Sequence, residues 1–110
     1  MPIHNKLVRD QIPKVIEGTG KKFTTRILED AEYISELQKK AFEELNEYIG
    51  AETKEAAVEE LADLLEVVHA LARVQGSSIH EVEEIRIMKA EKRGGFKEKV
   101  YLIEVEDGLG

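Results

Sequence analysis

Two pairs of acids carry the chemistry in this sequence: Glu44 with Glu47, and Glu60 with Asp63. The members of each pair are three residues apart, so on a helix their carboxylates share a face and can converge. An ionised carboxylate on an apolar face is costly unless it meets a cation or coordinates a metal. Two such pairs on adjacent antiparallel helices can present their carboxylates to one point. The result is an all-oxygen, strongly anionic site, which suits Mg²⁺ or Mn²⁺ rather than zinc. The chain has no cysteine, which excludes a thiolate metal site and a disulfide scaffold.

The elements that must position these acids are helical. Gly-containing breaks at Gly18/Gly20, Gly50, Gly76 and Gly94/Gly95 separate segments rich in Ala, Leu, Glu and Lys, which are good helix formers. The pattern predicts a short helix around Lys6 to Glu17, disturbed near Pro13. Long helices follow over about Ile27 to Ile49 and about Lys54 to Val74, then one over about Ile79 to Lys92 with Ser77 or Ser78 as N-cap. The tail from Lys97 to Glu106 alternates in part and reads as a strand or an extended arm. Long helices joined by short Gly turns suggest an all-α antiparallel bundle.

The acids fall within the apolar arcs of these helices. With Leu61 at zero and about 100° per residue, Leu64, Leu65, Val68, Leu71 and Ala72 lie within about 80° of it. Val67, Ala70 and Val74 extend that arc to about 180–240°, with Asp63 at about 200° and Glu60 at about 260°. In the preceding helix, Ile34, Leu37, Ala41, Leu45 and Tyr48 define the arc, with Glu44 at its edge and Glu47 next round. A chain with this much glutamate also makes E-x-x-E pairs by chance. Glu29/Glu32 and Glu81/Glu84 are read as solvated faces, and Tyr33, Phe42 and Tyr48 as packing groups.

Composition sets the outer bounds. The 110 residues suit one domain spanning 1–110, and 42% of them are hydrophobic, enough for a core. With 23 acidic and 16 basic side chains the net charge is −7, which argues against a nucleic-acid binder held by phosphate contacts. No segment reads as a signal peptide or a membrane span, so the expected location is cytoplasmic and no membrane partner is expected.

EELNE at 43–47 followed by EELAD at 59–63 resembles the E-E-x-x-E … E-x-x-D signature of the all-α, MazG-like nucleoside triphosphate pyrophosphohydrolases. The opening Asn5-Lys6-Leu7-Val8-Arg9-Asp10 and the closing Arg93-Gly94-Gly95-Phe96 are similar to the phosphoribosyl-ATP pyrophosphohydrolase-like branch. The resemblance implies a MazG-like antiparallel helical bundle with a short extended C-terminal tail, assembled as a homodimer or homotetramer. It implies Mg²⁺-dependent cleavage (Mn²⁺ as substitute) between the α- and β-phosphates of a nucleotide, giving a nucleoside monophosphate and pyrophosphate.

By position, the resemblance makes Glu44, Glu47, Glu60 and Asp63 metal ligands, and Glu43 the additional acid of the first motif. Glu43 or Glu44 would orient the attacking water. Lys40, Lys89 and Arg93 match basic positions that neutralise phosphate charge, and Lys40 is equally read as an ion-pair partner of Glu43 or Glu44. Lys6 and Arg9 are read first as partners of acids that fix the N-terminal segment, and second as groups that reach phosphates across a subunit interface. Ala62 stands where many MazG-like proteins carry Gly, and the chain has no tryptophan to mark a base-stacking pocket. The rival readings are phosphoribosyl-ATP hydrolysis and a non-catalytic helical oligomerisation or binding module.

Overall fold

The computed structural model describes residues 2–107. It is all-α, with helices α1 (Ile12–Glu17), α2 (Asp30–Gly50), α3 (Lys54–Val74) and α4 (Ile79–Arg93). There is no strand among the described residues. No described helix is long and apolar enough to cross a membrane. The chain divides into two compact units, Met1–Ile79 and His80–Gly110.

In the first unit, α2 and α3 pack along one another as an antiparallel pair. The link between them is only Ala51 to Thr53. Thr53 explains the sharp start of α3: its extended backbone precedes the helix, and its side chain accepts a hydrogen bond from Ala56 N–H at 3.1 Å, an N-cap. At the other end Gly76 adopts a left-handed φ of 76°. Ser77 N–H then bonds back to the Ala72 carbonyl at 2.9 Å, closing the helix as a Schellman-type stop.

The core lies in the seam between the two helices. Leu37, Val67 and Ala70 are buried there, with Leu7, Tyr33, Ala41, Leu71 and Val74 packed against them. The face of α3 that turns inward is therefore the one carrying Val67, Ala70 and Val74. Leu61, at the centre of the arc read from sequence, and Leu65, 53% exposed, face outward. The apolar arc of α3 is wider than one partner helix can cover, so one side of it is left open.

Two helix starts differ from the sequence reading. The N-terminal helix begins at Ile12 rather than near Lys6. Pro13 lies in its first turn, where a missing N–H costs nothing; in a longer helix its ring would meet the carbonyl of Arg9. Helix α2 begins at Asp30, not Ile27, with Asp30 and Glu32 in its first turn, where acids are favoured by the helix dipole. Arg26, outside the helix, clasps Glu32 through both guanidinium nitrogens at 3.0 and 2.7 Å.

The second unit holds α4 and the tail. Helix α4 buries no residue and ends where Gly94 takes a left-handed φ of 78°, with Gly94 N–H bonded to the Ala90 carbonyl at 2.8 Å. The tail forms no strand through Asp107; Val100, Tyr101, Leu102, Ile103 and Val105 are all exposed. A partly alternating segment needs a ladder partner to become a strand.

Candidate metal centre

The helix pair brings three of the four paired acids together. Glu44 and Glu47 are on α2, one turn apart, and Glu60 approaches from α3. Each offers an oxygen, and these oxygens all lie within 4.8 Å of one another, a spacing that one small divalent cation can bridge.

Burial grades the three. Glu44 is only 7% exposed, the one charged side chain buried to that degree among the described residues. Its Oε2 is buried with no hydrogen-bond partner, and Glu60 Oε2 is in the same position. Glu47 is exposed and Glu60 half-buried. Unpartnered buried carboxylate oxygens are strongly destabilising as they stand. They fit a cation: three anionic oxygen donors from two helices, two of their oxygens screened from water and without a hydrogen-bond partner among the described residues.

The same crowding shifts the proton equilibria. Contact with the Glu47 carboxyl, then loss of solvent and contact with Glu44, push the Glu60 carboxyl up to about 7. Burial raises the Glu44 carboxyl. The contact with Glu60 opposes that in part, and the charges of Glu47 and Asp63 add to it. Carboxylates this close cannot all be ionised without a proton or a cation between them.

Asp63 stands beside this group but is engaged elsewhere. Its Oδ1 accepts a hydrogen bond from Arg9 Nη2 at 2.7 Å, across 54 residues of sequence. Arg9 thus pairs with an acid, and that acid is one of the four assigned to the metal by sequence. Half-buried Lys40 places its Nζ 3.6 Å from Glu43 Oε1, so Glu43 belongs to an ion pair next to the cluster rather than to the cluster. Lys89 and Arg93 are exposed one turn apart on α4, in the second unit. Tyr33 packs on the core, whereas Phe42 and Tyr48 are exposed.

A groove of about 330 Å³ in the first unit is lined by Asp30, Tyr33, Ile34, Ala70, Arg73 and Val74. It lies at the far end of the seam, about 15 Å along the helices from the acids. The sequence carried no signal for it, because its lining combines apolar seam residues with Asp30 and Arg73 from distant parts of the chain.

A 54-residue stretch of the chain is 43% identical to an uncharacterized protein of Mycolicibacterium smegmatis, covering 49% of this chain and 55% of that protein. The chain thus spans about half the length of the curated relative it matches. No family model matches the chain, and no solved structure matches it.

Proposed function

We propose that this chain is a Mg²⁺-dependent nucleotide pyrophosphohydrolase of the MazG-like type. In this reading it cleaves the α–β anhydride of a nucleoside triphosphate, a non-canonical or damaged one, to a nucleoside monophosphate and pyrophosphate. The observation that carries the proposal is the convergence of Glu44, Glu47 and Glu60, with a buried, unpartnered oxygen on Glu44. An acidic chain can take up a highly anionic triphosphate only through a counter-charge, and these donors suit a hard divalent cation.

Glu44, Glu47 and Glu60 would hold the cation, with Asp63 as the fourth acid. A bound Mg²⁺ supplies polarisation of phosphoryl oxygens and a more acidic water. Glu43, outside the oxygen group and ion-paired with Lys40, would orient the attacking water. In the proposed reaction the water oxygen would bond to the α-phosphorus and give up a proton to Glu43 and thence to solvent, as the bond from that phosphorus to the bridging oxygen breaks and pyrophosphate leaves with the electron pair. Lys40, half-buried on α2 in the same unit as the acids, would neutralise charge on the phosphates.

The active form in this reading is a homodimer or homotetramer. What supports it is a second apolar stripe on each helix of the pair: Phe42, Leu45 and Ile49 on α2, and Val58, Leu61 and Leu65 on α3, all exposed. A helix pair apolar on its outer side has the pattern of half a bundle. These stripes also favour the rival reading, a helical oligomerisation module that keeps its acids for ion pairing.

One assay separates the readings. The protein with Mg²⁺ is tested on canonical and modified nucleoside triphosphates and on phosphoribosyl-ATP, with pyrophosphate and orthophosphate measured separately. Direct release of pyrophosphate supports the proposal, and the preferred substrate distinguishes hydrolysis of non-canonical nucleoside triphosphates from phosphoribosyl-ATP hydrolysis. No turnover on any substrate, with oligomers formed, favours the module.

A further inference from the structure

The Arg9–Asp63 pair joins the N-terminal segment to the acid cluster, and we propose that Arg9 competes with the divalent cation for Asp63 and, once displaced, binds phosphate. This rests on the metal reading above and deepens it. Three of the acids converge on one another, while the fourth, one turn from Glu60 on the same helix, is held by a cation of the chain's own. The cluster itself is marked as a ligand site by the buried, unpartnered oxygen of Glu44.

The geometry makes Arg9 fit for exchange rather than for permanent bracing. Its side chain is 57% exposed and that of Asp63 41%, and exposed pairs of this kind are weak and readily broken. A guanidinium keeps its charge at any working pH, so on leaving Asp63 it is available to another anion. Its planar donors match a phosphate as well as a carboxylate. Its base is fixed nearby: Leu7 packs against the core cluster, and the Arg9 carbonyl accepts the Ile12 N–H at 3.1 Å in the turn that opens α1. Arg9 therefore stays beside the acids when it lets go of Asp63. The exchange keeps charge matched throughout: Asp63 passes from a guanidinium to the cation, and the guanidinium passes from a carboxylate to phosphate.

The test is a cycle of wild type, Arg9→Gln, Asp63→Asn and the double variant, titrated calorimetrically first with Mn²⁺ alone and then, Mn²⁺-loaded, with inorganic pyrophosphate. Arg9→Gln should bind Mn²⁺ about two- to five-fold more tightly than wild type. In the Asp63→Asn background the same change should alter Mn²⁺ affinity not at all. Mn²⁺-loaded Arg9→Gln should bind pyrophosphate at least about ten-fold more weakly. Arg9→Lys, which keeps the charge, should restore the wild-type Mn²⁺ affinity and serves as the folded control. An unchanged Mn²⁺ affinity in Arg9→Gln, or an equal gain in both backgrounds, overturns the competition. Undiminished pyrophosphate binding overturns the hand-over to phosphate. If neither wild type nor Arg9→Gln binds Mn²⁺, the metal reading itself falls.

Discussion

The seam between α2 and α3 has two ends built by the same helices and opposite chemistry. Away from the connecting link, Tyr33, Leu37 and Ala41 meet Val67, Ala70 and Val74. Near the link, Glu44 and Glu47 meet Glu60. Backbone geometry and helical period are alike at both ends; only the side chains differ. The apolar end gains stability from burial, while the acidic end opposes closure through repulsion and unpartnered oxygens. One end holds the pair together so that the other can be held in a state it would not adopt alone.

The largest effect should come from breaking the acidic end. Even partners one step removed from a metal are worth about 10–100-fold, so under the proposed function Glu60→Gln should lower turnover more than about 100-fold. Pyrophosphate release at saturating Mg²⁺ measures it. The same variant should be more stable than wild type in chelator, because it removes a carboxylate from the crowded group. A variant that is inactive and less stable would show that Glu60 braces the seam.

Breaking the apolar end should do the reverse. Leu37 is the most deeply buried apolar side chain described, and Leu37→Ala should cost about 2–5 kcal/mol. With a core this small, urea denaturation should show much of the cooperative transition lost.

A pH series sharpens the comparison further. The carboxyls of Glu60 and Glu44 are raised in the folded chain, so folding favours their protonated forms. Their contribution is fully present below the ordinary carboxylate range and is lost as pH rises through about 7, the value reached by Glu60. Metal-free protein should therefore lose thermal stability between about pH 5 and pH 8, and Glu60→Gln should flatten that slope. Glu32 and Glu83, lowered by Arg26 and Arg86, act with opposite sign but at pH values below this window. A cation bound among the acids should replace the proton and remove the dependence.

The smallest effect concerns the link itself. Thr53→Ala deletes the N-cap of α3 and should cost about 1 kcal/mol. Under the proposed function it should leave turnover per folded molecule unchanged, as measured by activity normalised to helix content.

Much of this arrangement is legible in the residues. The stretch from Lys54 to Val74 reads as one helix because its formers run unbroken to Gly76, and the structure keeps both ends. The meeting of Glu44, Glu47 and Glu60 follows from the i,i+3 spacing of the first two and a short link that brings Glu60 alongside, whereas Asp63, spaced i,i+3 from Glu60, is held by Arg9. What is not legible is which part of a wide apolar arc faces inward. The leucines at 61 and 65 weigh most in a helical wheel, yet the smaller Val67 and Ala70 are buried, because hydrophobicity alone does not say which side a single partner will cover. Nor does local pattern give the partner of Arg9, since its contact with Asp63 depends on how a non-helical segment returns to the pair.

The shortness of the link has a kinetic consequence. Glu44, Glu47 and Glu60 belong to one helical hairpin, so the contacts that gather them are local in sequence and form with little loop-closure cost. Their assembly need not wait for Arg9 to return from the far N-terminus. A divalent ion that binds these acids would thus bind an early-folding element and bias the chain toward the native hairpin. Refolding rate, and not only final stability, should rise with the ion's concentration.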